Sequence, residues 1–279
     1  MKPRDFSRFL IATDLDGTFV FRGRPVPANE RAVAEFCEGG GIFTIDTGRL
    51  HPTVRSAIGE PCRLINAPAV LSGGAYLYDF EVGQIVPQTA EYMSPADTRA
   101  LLALIHGRFP DVLFRVSTSD YQRMERLTGP MIADAAMHDP GSVAISTPAE
   151  AWPDDNWFKM VIRGTDEDLS RLRDEVTARF SGRLCCCFSN RRLLEILKSG
   201  VDKGGGLEKL RARFPNRVAV GCGDYENDLP LLAAADIAAC PADAYGPVRA
   251  MADVILPPCE EGIMPALLDY LSARKENEK

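Results

Sequence analysis

Short apolar runs alternate with amphipathic stretches in the first part of the chain. The run at residues 9–13 predicts a buried strand, the pattern over 28–38 predicts a helix, and the run at 42–45 predicts a second strand. A strand, a helix and a strand of these lengths favour a βαβ unit in a parallel sheet. The same pattern of short apolar runs returns near the end of the chain, where strands are predicted at 218–223, 237–240 and 254–256.

The middle of the chain has a different pattern of predicted elements and strand ends. Amphipathic helices are predicted there at 98–109 and 166–180, with strands at 112–116, 158–162 and 184–188. None of these strands ends in a loop of acids and glycine, unlike the strand that precedes Asp14. We therefore expect a core domain formed by residues 1–86 and 190–279, with a second α/β domain, residues 87–189, inserted into it.

Composition and charge narrow the class of protein. The 279 residues are 46% hydrophobic and 25% charged, which is typical of a globular protein. The net charge of −7 disfavours a broad surface for nucleic acid or for an anionic membrane. No apolar run approaches the roughly 18 residues of a membrane span. The first apolar run is too short for a signal peptide, so a cytoplasmic protein is expected.

The eight cysteines do not form a recognisable disulfide or zinc pattern. Cys185, Cys186 and Cys187 are adjacent, the others are scattered, and no C-x-x-C pair occurs. We interpret them as small hydrophobic residues.

Polar side chains follow the ends of three predicted strands. Asp14 and Asp16 stand two residues apart after the first strand, and Gly17 allows a sharp turn behind them. Two neighbouring carboxylates repel unless a cation or a shared proton relieves them. The other polar positions are Thr47, Gly48 and Arg49 after the second strand, Asp224 and Asp228 after a late strand, and the glycine-flanked Lys203.

Parallel strands end at one edge of a sheet, where open α/β sheets bind ligands. Carboxylates there are suited to Mg²⁺, which also retains water and phosphate oxygens as ligands. The Thr47 hydroxyl, the N–H groups of Gly48 and Arg49, and Lys203 would surround a phosphoryl group. Asp14 is then placed to attack phosphorus, and a second carboxyl to transfer a proton.

These segments resemble the four ordered motifs of the haloacid dehalogenase (HAD) superfamily. The motifs are Asp14-Leu15-Asp16-Gly17-Thr18, Thr47-Gly48-Arg49, Lys203 and Gly223-Asp224-Tyr225-Glu226-Asn227-Asp228. The insert lies between the second and third motifs, which is similar to the Cof-type sugar phosphatase branch. The resemblance implies an α/β fold in which a Rossmann-like parallel-sheet core carries an inserted α/β cap domain.

The resemblance also implies a role for each motif residue. Asp14 is the expected nucleophile, Asp16 the general acid and base, and Lys203 the residue that neutralises nucleophile and phosphoryl charge. The expected phosphate- or substrate-binding residues are Thr47, Gly48, Arg49, Lys203 and Asn227. The expected Mg²⁺ ligands are Asp14, Asp16 (through its carbonyl), Asp224 and Asp228.

The chain departs from the family pattern at two positions. Gly73 stands where an asparagine is usual, so one polar contact to substrate is expected to be missing. Asp46 stands before Thr47 where a small residue is usual. We expect its side chain to point away from the pocket.

The expected function is a Mg²⁺-dependent phosphatase that hydrolyses a small phosphorylated metabolite, with a sugar phosphate as the expected substrate, through an aspartyl-phosphate. One alternative is a phosphosugar mutase or phosphotransferase, because the same intermediate serves both reactions. Another is a non-catalytic signalling module phosphorylated on aspartate. The order of the motifs disfavours that alternative. The partner is expected to be the metabolite, with no nucleic acid and no membrane, and the oligomeric state stays open.

Overall fold

The computed structural model describes residues 4–119, 122–125, 143–145 and 156–277. The chain forms two compact units. The first unit comprises Met1–Thr47, Ala57–Thr89 and Asp202–Lys279, and the second comprises Gly48–Ser56 and Ala90–Val201. The domain boundaries expected from the sequence, at 86/87 and 189/190, stay a prediction.

The regular elements are numbered here in chain order. The strands are β1 Phe9–Thr13, β2 Val20–Phe21, β3 Arg24–Pro25, β4 Ile42–Ile45, β5 Ala69–Leu71, β6 Tyr76–Asp79, β7 Gln84–Ile85, β8 Leu113–Ser117, β9 Gln122–Met124, β10 Val143–Ile145, β11 Lys159–Arg163, β12 Leu184–Asn190, β13 Leu193–Lys198, β14 Val218–Cys222, β15 Ile237–Pro241 and β16 Val254–Leu256. The α-helices are α1 Pro27–Glu38, α2 His51–Ile58, α3 Pro95–Arg108, α4 Asp166–Arg179, α5 Lys203–Arg211, α6 Leu229–Ala234, α7 Gly246–Met251 and α8 Met264–Asn277.

The first unit is built on a parallel sheet of five strands in the order β16-β15-β14-β1-β4. Every residue of β1 is buried, because this strand lies between two neighbours and inside the core. Phe9 pairs with Val218 on one side, and Leu10 pairs with Ile42 on the other. The predicted α/β class with a parallel core sheet is confirmed. β2 and β3 form an antiparallel pair, and β5, β6 and β7 form a separate antiparallel sheet.

The second unit contains a sheet of six strands in the order β10-β9-β8-β11-β13-β12. All pairs are antiparallel except β9 with β10. Apolar side chains on one face of this sheet join those of α3 and α4 in a hydrophobic core, for example Val116, Met160 and Ile196. Strand β13 is not among the predicted strands.

No helix in the described ranges is both long and apolar enough to cross a membrane.

Candidate active site

Asp14 lies directly after β1, where it continues the pairing of that strand. Its N–H donates to the Cys222 carbonyl at 2.8 Å, which holds it at the carboxyl end of β14 as well. The side chain is buried, whereas Asp16, two residues on, is exposed. The two acids therefore occupy different environments although both stand at the same strand end.

Gly17 allows a second carboxylate to approach the loop after β1. Its φ is +98°, and a Cβ at this position would lie only 2.6 Å from Asp224 Oδ2. Any side chain would therefore strain the backbone and displace Asp224. The neighbouring Thr18 hydroxyl donates to Asp224 Oδ1 at 2.8 Å, so Thr18 orients the same carboxylate. Thr18 belongs to the first motif, in which roles are expected only for Asp14 and Asp16.

Lys203 connects two carboxylates that are distant in the sequence. Its side chain is 1% exposed, and its Nζ lies 2.6 Å from Asp14 Oδ1 and 2.5 Å from Asp228 Oδ1. Burial opposes a charged lysine, but the attraction of Asp14 and Asp228 raises the pKa of Lys203 well above its usual value. The lysine is therefore a permanent cation in the centre of the carboxylate cluster.

The glycines that follow Lys203 allow helix α5 to pack closely against its neighbours. A Cβ on Gly204 would lie 2.5 Å from the Pro230 carbonyl oxygen, and one on Gly206 would lie 2.3 Å from Val70. The Asp202 side chain accepts the Gly205 N–H at 2.8 Å and caps the helix. This close packing fixes where the first residue of the helix, Lys203, enters the site.

Asp14, Asp224 and Asp228 form a cluster whose carboxylate oxygens lie within 4.8 Å of one another. Asp228 is held in place because its Oδ2 accepts the N–H groups of Asp224 at 2.9 Å and Tyr225 at 3.0 Å. Asn227 is half-buried and lies in the same turn, Glu226–Asp228.

Three carboxylates around one ammonium leave an excess of negative charge. Burial, with the charge of Asp228, raises the pKa of Asp224 to about 7. Burial also raises the pKa of Asp14 well above its usual value, against the attraction of Lys203. A divalent cation bound by these oxygens would favour the ionised carboxylates, and oxygen ligands are those that Mg²⁺ prefers. The residues present therefore fit this metal.

Thr47 lies at the same edge of the sheet as Asp14, because β4 pairs with β1. It is buried, its N–H donates to the Val70 carbonyl, and its carbonyl accepts the Gly73 N–H, both at 3.0 Å. The next two residues, Gly48 and Arg49, belong to the second unit. Arg49 donates to the Thr53 carbonyl and the Ser56 hydroxyl of α2. The roles expected for these residues stay predictions.

Asp46 is fully buried next to Thr47. Neither of its carboxylate oxygens has a hydrogen-bond partner among the described residues. Burial holds the pKa of Asp46 well above its usual value, although the Lys203 ammonium acts in the opposite direction. We infer a neutral, protonated Asp46 in the folded protein. From the sequence, Asp46 is unusual only as a departure from the family pattern, and its burial is not apparent.

We expect Asp46→Asn to gain stability relative to the wild type as pH rises. Above the usual aspartate pKa of about 3.9, the unfolded chain has released a proton that folded Asp46 retains, so the wild type loses up to about 1.4 kcal/mol per pH unit. Asparagine has no such proton. Urea unfolding in EDTA at pH 5 and pH 8 measures the difference, with the exposed Asp269→Asn as control. A difference between Asp46→Asn and wild type that does not change with pH would contradict a protonated Asp46.

The sequence is similar to those of known proteins. The sequence profile of the haloacid dehalogenase-like hydrolases matches residues 11–267. Over 77 residues the chain is 32% identical to the HMP-PP phosphatase of Serratia proteamaculans (strain 568), a match that covers 27% of this chain and 28% of that relative. The chain therefore matches little more than a quarter of the length of this curated relative.

Two solved structures share the fold at low sequence identity. SMU.1108c from Streptococcus mutans UA159 superposes with a TM-score of 0.83 at 19% identity, over 94% of this chain and 98% of that one. The HAD subclass IIB sugar phosphatase BT4131 superposes with a TM-score of 0.81 at 17% identity, over 95% of this chain and 99% of that one. Identities this low establish the common fold alone. The family profile spans nearly the whole chain, and the protein is a member of the haloacid dehalogenase-like hydrolase family.

Proposed function

We propose that the protein is a Mg²⁺-dependent phosphatase that hydrolyses a small phosphorylated metabolite, a sugar phosphate, through an aspartyl-phosphate on Asp14. The observation that carries the proposal is the cluster at one sheet edge of the buried Asp14, Lys203 and Asp228 with the half-buried Asp224. Family membership and the phosphatases among the similar proteins support it.

In the first step the Asp14 carboxylate attacks phosphorus. A bond forms between an Asp14 oxygen and phosphorus, and the bond from phosphorus to the leaving oxygen breaks. Asp16 gives a proton to that leaving oxygen, and its exposed position suits exchange of protons with substrate and water. Lys203 stabilises the negative charge that gathers around phosphorus, because its ammonium already lies 2.6 Å from Asp14.

In the second step water attacks the phosphorus of the aspartyl-phosphate. Asp16, now a carboxylate, takes the proton of this water, and inorganic phosphate leaves as the Asp14 carboxylate is restored. Asp14, Asp224, Asp228 and the Asp16 carbonyl are the groups that would hold Mg²⁺. When bound, the metal neutralises and orients the phosphoryl oxygens. Thr47 would bind one of those oxygens.

The proposal is tested by phosphate release from a panel of sugar phosphates and one aryl phosphate. We expect release with Mg²⁺, strongest on one or a few phosphosugars, and loss of at least about 100-fold with EDTA, because the carboxylate cluster then lacks its counter-charge. Conversion of a phosphosugar into an isomer, without phosphate release, would instead identify a mutase.

A matched pair of variants distinguishes the loss of a carboxylate in the proposed metal site from the loss of a carboxylate elsewhere on the protein. Asp224→Asn removes a carboxylate of the cluster, while Asp111→Asn removes an exposed carboxylate of the second unit. Only Asp224→Asn is expected to require a higher Mg²⁺ concentration and to lose the Mg²⁺-dependent increase in Tm. Full activity of wild type in EDTA would refute the metal dependence.

A further inference from the structure

We propose that Asp46 is a positioning residue for Lys203, whose ammonium it holds in place while Asp14 carries the phosphoryl group. This inference rests on the proposed phosphatase function and adds a residue to its second step, the hydrolysis of the aspartyl-phosphate. Asp46 stands where a small residue is usual in the family, so the role belongs to this chain in particular. All three residues lie in the first unit.

Strand pairing places Asp46 beside Asp14. Thr13 is the partner of Ile45 in the parallel pair of β1 and β4, and the Asp46 N–H continues that ladder by donating to the Thr13 carbonyl at 2.8 Å. The two acids are therefore the first residues beyond the ends of neighbouring strands. Because side chains alternate in step along paired strands, the two carboxyl groups lie on the same side of the sheet.

Helix α5, which begins at Lys203, covers the side of the sheet to which Asp46 points. Asp46 forms an isolated parallel bridge with Val70, so these two side chains also share a side. Val70 belongs to a hydrophobic cluster with Leu207 of α5, and a Cβ on Gly206 would lie 2.3 Å from it. Burial raises the pKa of Asp46 and the Lys203 ammonium acts against that rise, so the two side chains are close enough to interact.

Lys203 and Asp46 each have hydrogen-bonding capacity that the resting protein does not use. An ammonium has three N–H donors, and the bonds of Lys203 to Asp14 Oδ1 and Asp228 Oδ1 use two of them. Asp46 is fully buried, and neither of its oxygens is hydrogen-bonded within the described ranges. A buried polar group without a partner lowers stability, so an apolar side chain would suit the position better. The presence of the carboxyl group therefore indicates a role in function.

The reaction itself creates the need for another acceptor. In the resting protein the Asp14 carboxylate accepts one N–H of Lys203. Once Asp14 is an acyl phosphate it has lost its negative charge and is a weaker acceptor. Lys203 then keeps its bond to Asp228, donates a second N–H to the carbonyl oxygen of the neutral Asp46 carboxyl, and directs the third to a phosphoryl oxygen. The ammonium thus stays beside phosphorus while water attacks, and the exchange of acceptors transfers no proton.

The test measures the formation and the hydrolysis of the aspartyl-phosphate separately. Rapid quenching after mixing with the best substrate of the panel, labelled in its phosphate, gives the rate of formation, and a chase with unlabelled substrate gives the rate of hydrolysis. Asp46→Leu removes the acceptor and is expected to slow hydrolysis about 10-fold, as the loss of a hydrogen bond to a charged group implies. Formation is expected to stay within about twofold, because Asp14 and Asp228 hold Lys203 in the resting protein.

Two further substitutions at the same position complete the series. Asp46→Asn keeps a carbonyl oxygen, so its rate of aspartyl-phosphate hydrolysis is expected to stay near that of wild type. Asp46→Ala also lacks an acceptor, and it takes the place of Asp46→Leu in the comparison if the larger side chain prevents folding.

Thr44→Val is the matched structural control on the same strand. Thr44 lies two residues before Asp46, is fully buried, and donates its hydroxyl to the Pro68 carbonyl at 3.0 Å. Thr44→Val is expected to lower the free energy of unfolding and to leave both rates unchanged. Asp46→Leu is expected to behave in the opposite way, with equal or higher stability than wild type and a slower second step. A purely structural role of Asp46 would not produce this reversal.

The outcomes separate this inference from the proposed function. Hydrolysis of the aspartyl-phosphate by Asp46→Leu at the wild-type rate, or an equal loss in Asp46→Asn, would overturn the positioning role while the phosphatase proposal survives. Equal slowing of formation and hydrolysis would also overturn it, since the role concerns the second step alone. If wild type releases no phosphate from any substrate, the proposed function fails, and this inference with it.

Discussion

Asp14→Asn is expected to lower kcat by at least about 10⁴-fold while the fold is retained. The amide cannot act as the nucleophile, and loss of a nucleophile that acts with its partners as a unit removes most of the rate enhancement. The fold should persist, because Asp14 is held through its main chain to Cys222 and Lys203 keeps its bond to Asp228. Steady-state phosphate release and circular dichroism measure the two effects.

The control for this variant is an aspartate in the same unit that lies outside the cluster. Asp79 accepts the N–H groups of Glu81 and Val82 in an exposed turn, so Asp79→Asn should retain wild-type turnover. Rapid quenching of wild type should trap a covalent phosphoryl group that is missing in Asp14→Asn. Turnover by Asp14→Asn close to that of wild type would refute the assignment of the nucleophile.

Lys203→Met is expected to reduce both stability and activity. The ammonium is buried between Asp14 and Asp228, so its removal leaves uncompensated buried carboxylates and should cost about 3–5 kcal/mol of unfolding free energy. The loss should be smaller at pH 5 than at pH 8, because protonation of a carboxyl relieves the repulsion. We expect kcat to fall about 10³-fold, since charge stabilisation at phosphorus is lost.

Lys209→Met provides a matched control on the same helix. Lys209 is half-buried, and its Nζ donates to the Thr89 carbonyl at 3.1 Å. The substitution is the same and the helix is the same, but the carboxylate cluster is not disturbed. Urea unfolding of both variants, without metal and with Mg²⁺, gives the comparison. If Lys203→Met were no less stable than Lys209→Met, the stability of the folded protein would not depend on the Lys203 ammonium, and the prediction would be wrong.

Local patterns in the sequence were sufficient for the core of the fold. The strands near Asp14, Thr47 and Asp224 could be predicted because each is an apolar run that ends abruptly in polar residues. Their convergence at one edge followed from the parallel topology, which short apolar runs separated by helices favour. β13 was missed because its sequence, Leu193–Lys198, does not alternate between apolar and polar residues; Leu194 and Ile196 join the hydrophobic core, while Glu195 on the other face is also buried.

By itself the sequence determined the α/β class, the family and the identity of the acids and lysine proposed to act on phosphate, since these depend on residues that are close in the chain. Only the tertiary structure decided that Lys203 meets Asp14 across 189 residues and that Asp46 is buried. Burial and pairing depend on neighbours supplied by distant segments. No local pattern of apolar and polar residues contains that information.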